Sequence, residues 1–278
     1  MNPVKPKATP QGDEMTAAYE GGQGSPLVLL HGICGSWHIW KPVLDRLTPH
    51  HRVIAITLPG HPGGPPLPPE EPVTVECIRQ ALEDELDRRG IDQAHFAGNS
   101  LGGWLSLEMA RRGRALSVTA FSPAGAWSRH RDMRRLQRLF RFAYAVLPVT
   151  LALLGWASRF SWVRRLLGGL TMRRPQNVPG DEFLRNMRTM RNTRLLPEFL
   201  ANLRFEHRIQ PMNASVPTTI SWCEHDKVIP LQRYGLPMYE AVTGARQSRL
   251  ADAGHVPMYD QPESMVASIL ETTRRVDS

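Results

Sequence analysis

Short apolar runs bounded by glycine and proline recur along this 278-residue chain. Six of them read as buried strands: 26–32 (PLVLLHG), 52–61 (RVIAITLPGH), 94–100 (AHFAGNS), 116–123 (LSVTAFSP), 216–226 (VPTTISWCEHD) and 245–255 (ARQSRLADAGH). Between them the apolar period changes to three and four. In 73–89 it runs through Val75, Ile78, Leu82 and Leu86, and 101–112, 232–243 and 262–275 behave alike. Strand alternating with helix predicts an α/β fold: a mostly parallel sheet, right-handed crossovers, and helices on both faces. The stretch 58–72 (LPGHPGGPPLPPEEP) carries too much proline for either element.

The alternation breaks once. Residues 125–210 turn helical before strands resume, which predicts a helical cap inserted into a core made of 16–124 and 211–278. Residues 1–15 read as a disordered lead-in. Ligands of such sheets bind at the carboxyl ends of the strands, beneath an insertion of this kind.

Charge sharpens the division. The chain carries +8 overall, but between residues 126 and 208 there are 17 Arg, no Lys and 5 acids, a net +12 that leaves the rest at −4. The basic character therefore belongs to the cap. With no recognised nucleic-acid motif and an acidic remainder, no nucleic-acid partner is expected. Three widely spaced cysteines (Cys34, Cys77, Cys223) form no C-x-x-C pair and point to a reducing compartment. The first residues contain no apolar signal core, so the expected location is cytoplasmic. Within the cap, no charged residue interrupts Phe142 to Ala157, and Arg141 and Arg159 flank this stretch. It is short for a membrane span and contains Pro148, so two readings stand. It is a cap helix lining an apolar pocket, or a lid that also lies against an anionic membrane through Arg, Trp156 and Trp162.

The candidate chemistry centres on Ser100 in AGNSLGGW, where an apolar strand passes straight into a helix. Such a turn forces its residue into a disfavoured backbone region. Gly98 and Gly102 remove side chains where strand and helix pass closest. The turn lifts the hydroxyl off the sheet and puts the Leu101 N–H at a helix N-terminus, where developing negative charge is favoured.

Gly-x-Ser-x-Gly between strand and helix resembles the nucleophile elbow of the α/β-hydrolase superfamily. HGICGSWHIW (31–40), LPGH (58–61) and GHVPMYDQPE (254–263) are similar to further patterns of that family, and the resemblance covers nearly all the chain outside the lead-in and the cap. It implies a Ser–Asp–His order: Ser100 as nucleophile, Asp226 as orienting acid and His255 as base. The backbone N–H groups of Ile33 and Leu101 would form the oxyanion hole, with no cofactor and no metal. Glu224 and Asp252 remain alternative acids and His225 an alternative base. His31 is expected to support the oxyanion loop, while His50, His51, His61 and His95 read as surface or packing residues. Cys34, Cys77 and Cys223 read as small core residues. Thr57 and Pro62 stand where many relatives carry Asp and Gly.

The resemblance implies acyl transfer to water, with a small hydrophobic ester or lipid-like molecule as substrate. Dehalogenases and epoxide hydrolases with an Asp nucleophile are disfavoured by Ser100. Two alternatives are kept. GNSLGG is similar to the elbow of carbon–carbon bond hydrolases of the meta-cleavage type, although Val256 rather than Trp follows His255. Some relatives retain the fold but only bind small molecules. The oligomeric state is left open.

Overall fold

The computed structural model describes residues 17–277, so the expected lead-in 1–15 lies outside the described residues. Strands β1 (Ala18–Gly21), β2 (Pro26–Leu30), β3 (Arg52–Ile56), β4 (Ala94–Asn99) and β5 (Ala115–Phe121) form the first part of the sheet. After β6 (Met212–Asn213) come β7 (Thr218–Cys223), β8 (Val242–Thr243) and β9 (Arg246–Leu250). The main sheet has the order β1-β3-β2-β4-β5-β7-β9, parallel except for the antiparallel β1, and β6 pairs with β8 separately.

Alternate residues of the central strands feed opposite faces, as the period-two geometry of a strand requires. Val28 and Leu30 join Ile54, Phe96 and Val118 in one apolar cluster. Leu27 and Leu29 join Val53, Ala55 and Ala97 in the other. Helices α1 (Lys41–Leu47), α2 (Val75–Arg88) and α3 (Leu101–Arg111) cover these faces. Ile78, Leu82 and Leu86 of α2 pack on the first cluster, and Val43, Leu44 and Leu47 of α1 on the second. The start of α2 is set by Thr74, whose side chain accepts the Cys77 N–H at 3.1 Å.

Between β5 and β6 the chain is helical: α4 (His130–Leu154), α5 (Ser161–Gly168), α6 (Gly180–Asn192) and α7 (Leu196–Asn202), with short 3-10 turns between α4 and α5, between α5 and α6, and after α7. Beyond β7, α8 (Leu236–Ala241) is preceded by a π-helical turn at Leu231–Gly235, and α9 (Pro262–Asp277) closes the chain by packing Met265, Val266 and Ile269 on the second cluster.

The inter-strand segment is stitched to the core through both backbone and side-chain groups, among the latter Glu182, bonded to Lys41 and Tyr259. Buried Asp260 accepts the N–H groups of Arg173 (2.8 Å), Arg174 (2.7 Å) and Gly254 (2.9 Å). The Val256 N–H donates to the Thr171 carbonyl at 2.8 Å. Arg164, one of the arginines of this segment, is buried. Its guanidinium donates to the carbonyls of Ser158, Arg159 and Gln176 and so ties the turns on either side of α5 together.

Candidate active site

Four loops converge at the carboxyl ends of parallel strands: 31–36 after β2, Ser100 after β4, 224–229 after β7 and 251–256 after β9. Ser100 holds φ 56°, ψ −114°, a conformation that costs a non-glycine residue about 1–3 kcal/mol. Hydrogen bonds on both sides enforce it. The Ser100 N–H donates to the Phe121 carbonyl (3.0 Å), and its own carbonyl accepts from Trp104 (3.0 Å) and Ala124 (2.9 Å). The two flanking glycines are obligatory. A Cβ at Gly98 would lie 2.2 Å from the Gly102 carbonyl oxygen, and one at Gly102 would lie 2.1 Å from that of Leu30.

His255 Nδ1 lies 2.7 Å from Asp226 Oδ2, and both residues are buried. The other oxygen of Asp226 accepts the N–H groups of Val228 (2.9 Å) and Ile229 (2.8 Å). A carboxylate can only accept, so Nδ1 carries the ring proton and Nε2 of the neutral imidazole is the bare nitrogen. The alternative acids are elsewhere: Glu224 accepts the Asp252 N–H, and Asp252 pairs with Arg173 and Arg174. His225 is exposed, 3.8 Å from each of these two carboxylates. Ser100, His255 and Ile33 line one cavity of about 420 Å³. Its remaining wall is mainly apolar, from Phe140, Leu147, Leu167 and Met187 among others, and no Lys or Arg among the described residues lines it. A second apolar pocket of about 40 Å³, against Trp104 and Trp127, is lined by Ile33, Ser100 and Leu101 together.

The loop carrying Ile33 is held by two neutral histidines. His31 donates from Nδ1 to the Gly32 carbonyl (2.7 Å) and accepts the Leu58 N–H at Nε2 (2.9 Å). His61 donates from Nδ1 to the Pro59 carbonyl (3.2 Å) and accepts the Cys34 N–H at Nε2 (3.2 Å). Burial depresses both rings, His31 well below the usual histidine range and His61 to about 4. His61 is therefore a buried latch, more than the surface or packing residue the sequence suggests. The Cys34 N–H is committed to it, which leaves Ile33 as the neighbouring donor. Burial raises the Cys34 thiol to about 12, so it is held as a thiol.

Asn99 and Asp260 are missing from the sequence reading. Asn99 Nδ2 bridges the carbonyls of Phe121 (3.1 Å) and His255 (2.8 Å), setting the height of the His255 backbone above the elbow. Asp260 lies inside the GHVPMYDQPE pattern, but its three N–H partners are brought to it only by folding.

The family model described as "Alpha/beta hydrolase family" matches residues 27–268. The chain belongs to that family. Among curated proteins, this α/β-hydrolase is 30% identical over 197 residues to epoxide hydrolase EphH of Mycobacterium tuberculosis (strain ATCC 25618 / H37Rv), covering 68% of this chain and 92% of that one. Among solved structures, a thermophilic esterase from Thermogutta terrifontis superposes with TM-score 0.72 at 20% identity, over 94% of each chain. The 2-hydroxy-6-oxo-6-phenylhexa-2,4-dienoate hydrolase from a Rhodococcus species superposes with TM-score 0.71 at 20% identity, over 92% of this α/β-hydrolase and 94% of that chain.

Proposed function

We propose that this α/β-hydrolase is a serine carboxylic-ester hydrolase whose substrate has one large apolar substituent and one small one. The observation that carries the reading is the 2.7 Å Asp226–His255 pair beside a strained Ser100, at the junction of a large and a small apolar pocket. In the cycle, His255 Nε2 takes the Ser100 proton as Oγ attacks the ester carbonyl. Asp226 steadies the imidazolium that forms. The N–H groups of Ile33 and Leu101 receive the negative charge on the tetrahedral oxygen. His255 then gives its proton to the departing alcohol, and water, deprotonated by the same ring, releases the acyl group. The helical segment acts as the cap whose apolar residues select the larger substituent.

The carbon–carbon reading is weaker. A dienoate substrate of the kind named for the Rhodococcus relative carries a carboxylate, and no Lys or Arg among the described residues lines the large cavity here. Opening an epoxide through a carboxylate nucleophile needs an acid at the elbow, where this chain has Ser100. The experiment is turnover of aryl esters of graded acyl length, with a fluorophosphonate probe in parallel. The proposal expects labelling that Ser100→Ala abolishes, and a rate that rises with apolar length on one side of the ester only. Labelling with no turnover of any ester would leave a binding protein.

A further inference from the structure

The outer face of α4 and α5 carries apolar side chains that the fold does not cover. Phe142, Val146, Val149 and Leu153 follow one another at steps of four and three along α4, which places them along one stripe, and the exposed Trp156 and Phe160 follow in the turn after it. Phe142, Leu153, Trp156 and Trp162 are between 64% and 68% exposed. A folded chain seldom leaves so large a contiguous patch in water without a partner. The patch is continuous with the site: Val146, Leu166 and Leu170 are exposed and also line the large cavity. The mouth of the cavity therefore opens within the apolar face.

Charge discriminates between the occupants. From residue 133 to 180 there are nine Arg and neither Lys nor any acid. Arg159 stacks over Trp156 and Phe160 (5.1 and 4.8 Å to the ring centres) at the edge of the stripe. Arg138, Arg141, Arg159 and Arg165 pair with no carboxylate among the described residues. Beside the mouth, a polar notch of about 210 Å³ is lined by Arg165, Arg173, His225 and Lys227 and meets the large cavity at Met172. Within it Lys227 donates to the Gly169 carbonyl, while Arg173 and His225 also lie near Asp252. Two copies of this face would set arginine against arginine, whereas an anionic surface complements it.

We propose that the α4–α5 face seats on an anionic lipid bilayer, with its apolar stripe in the interfacial layer, its arginines at the headgroups and the cavity mouth facing the acyl chains. The arrangement lies on the membrane and does not span it. Helix α4 is long and apolar enough to cross by length and composition, but it contains Pro148, and Phe140, Ala143 and Leu147 form part of the cavity wall.

The test is sedimentation of the full chain with vesicles of phosphatidylcholine alone or mixed with phosphatidylglycerol, at low and high salt. Trp156 and Trp162 report insertion by fluorescence, and sedimentation velocity without lipid reports self-association. The expected result is binding to the mixed vesicles, a blue shift, and release by salt. Arg141→Gln with Arg159→Gln should lower partitioning by about thirtyfold, the combined worth of two surface arginines. Leu153→Gln with Trp162→Gln, neither of which lines the large cavity, the small apolar pocket or the polar notch, should abolish the binding while leaving turnover of a short soluble ester within about twofold. Equal partitioning onto both vesicle types, or none onto either, overturns the proposal. So does a lipid-free dimer that the Leu153/Trp162 variant dissociates, which would assign the face to a second copy. Binding by Ser100→Ala keeps this result separate from that for ester hydrolysis.

Discussion

Acid should release the loop that carries Ile33, and the size of the effect follows from His61. In the unfolded chain this ring takes a proton near pH 6.5, whereas in the folded protein it stays neutral until about pH 4. Between those values the unfolded state binds one more proton, so stability falls as pH falls. The contribution is complete above about 6.5 and gone below about 4. The interval corresponds to about 3 kcal/mol, with a slope near its centre of about 1.2 kcal/mol per pH unit. His31, depressed for the same reason, adds to the slope in the same direction. Urea unfolding of the wild type and of His61→Gln at pH 7.5, 6.5, 5.5 and 4.5 measures this directly. The Gln carbonyl can still accept the Cys34 N–H but cannot titrate. The variant should sit within about 2 kcal/mol of wild type at pH 7.5 and lose stability more slowly below pH 6.5, by about one proton. Parallel curves would refute the buried neutral latch.

Three further outcomes are expected. Ser100→Ala and His255→Ala should each lower kcat/KM for an aryl ester by about 10⁴-fold or more, with the double variant little worse than either; steady-state kinetics decide, and additive losses would argue against a single unit. Gly102→Ala should destabilise the fold by more than about 3 kcal/mol, because its Cβ meets the Leu30 carbonyl and cannot shift without moving the sheet; thermal unfolding reads it. Asp260→Ala should cost about 2–4 kcal/mol and accelerate amide exchange at Arg173, Arg174 and Gly254, whose N–H groups lose a buried acceptor.

Much of the architecture was legible because the buried parallel strands read as unbroken apolar runs, and PLVLL and AHFAGN need no context to be recognised. Strand β1 escaped notice. Its four residues, AYEG, sit at the antiparallel edge of the sheet and are only partly buried, so they show no such run. Strand β9, RQSRL, is shorter than the expected 245–255 because its polar edge ends at Leu250 and the rest is the His255 loop. The elbow was legible from glycine spacing. The sequence reading preferred Asp226 and kept Glu224 and Asp252 as alternatives; of the three, Asp226 is the one hydrogen-bonded to His255. The burial of Arg164 was not legible, because a charge run on an amphipathic helix normally faces water. Here one guanidinium closes three carbonyls that the broken helices leave open.

The seam between the helical segment and the core has a consequence for divergence. Part of the seam runs from the main chain of residues 171–174 to Asp260 and Val256, and the main chain is the same whatever side chains it bears; the side chains of Glu182, bonded to Lys41 and Tyr259, and of Arg173 and Arg174, paired with Asp252, complete it. The apolar positions of α4 that look outward are thus free to change without undocking the segment, whereas a change at 173 or 174 keeps the main-chain bonds but breaks the pairing with Asp252. Grafting the α4–α6 stretch between homologues should keep the docking register as long as Asp260, a glycine at 254 and the partners of Glu182, Arg173 and Arg174 across the seam are retained. New substrate preferences can then be exchanged as a module while the strands below, and the serine they carry, stay untouched.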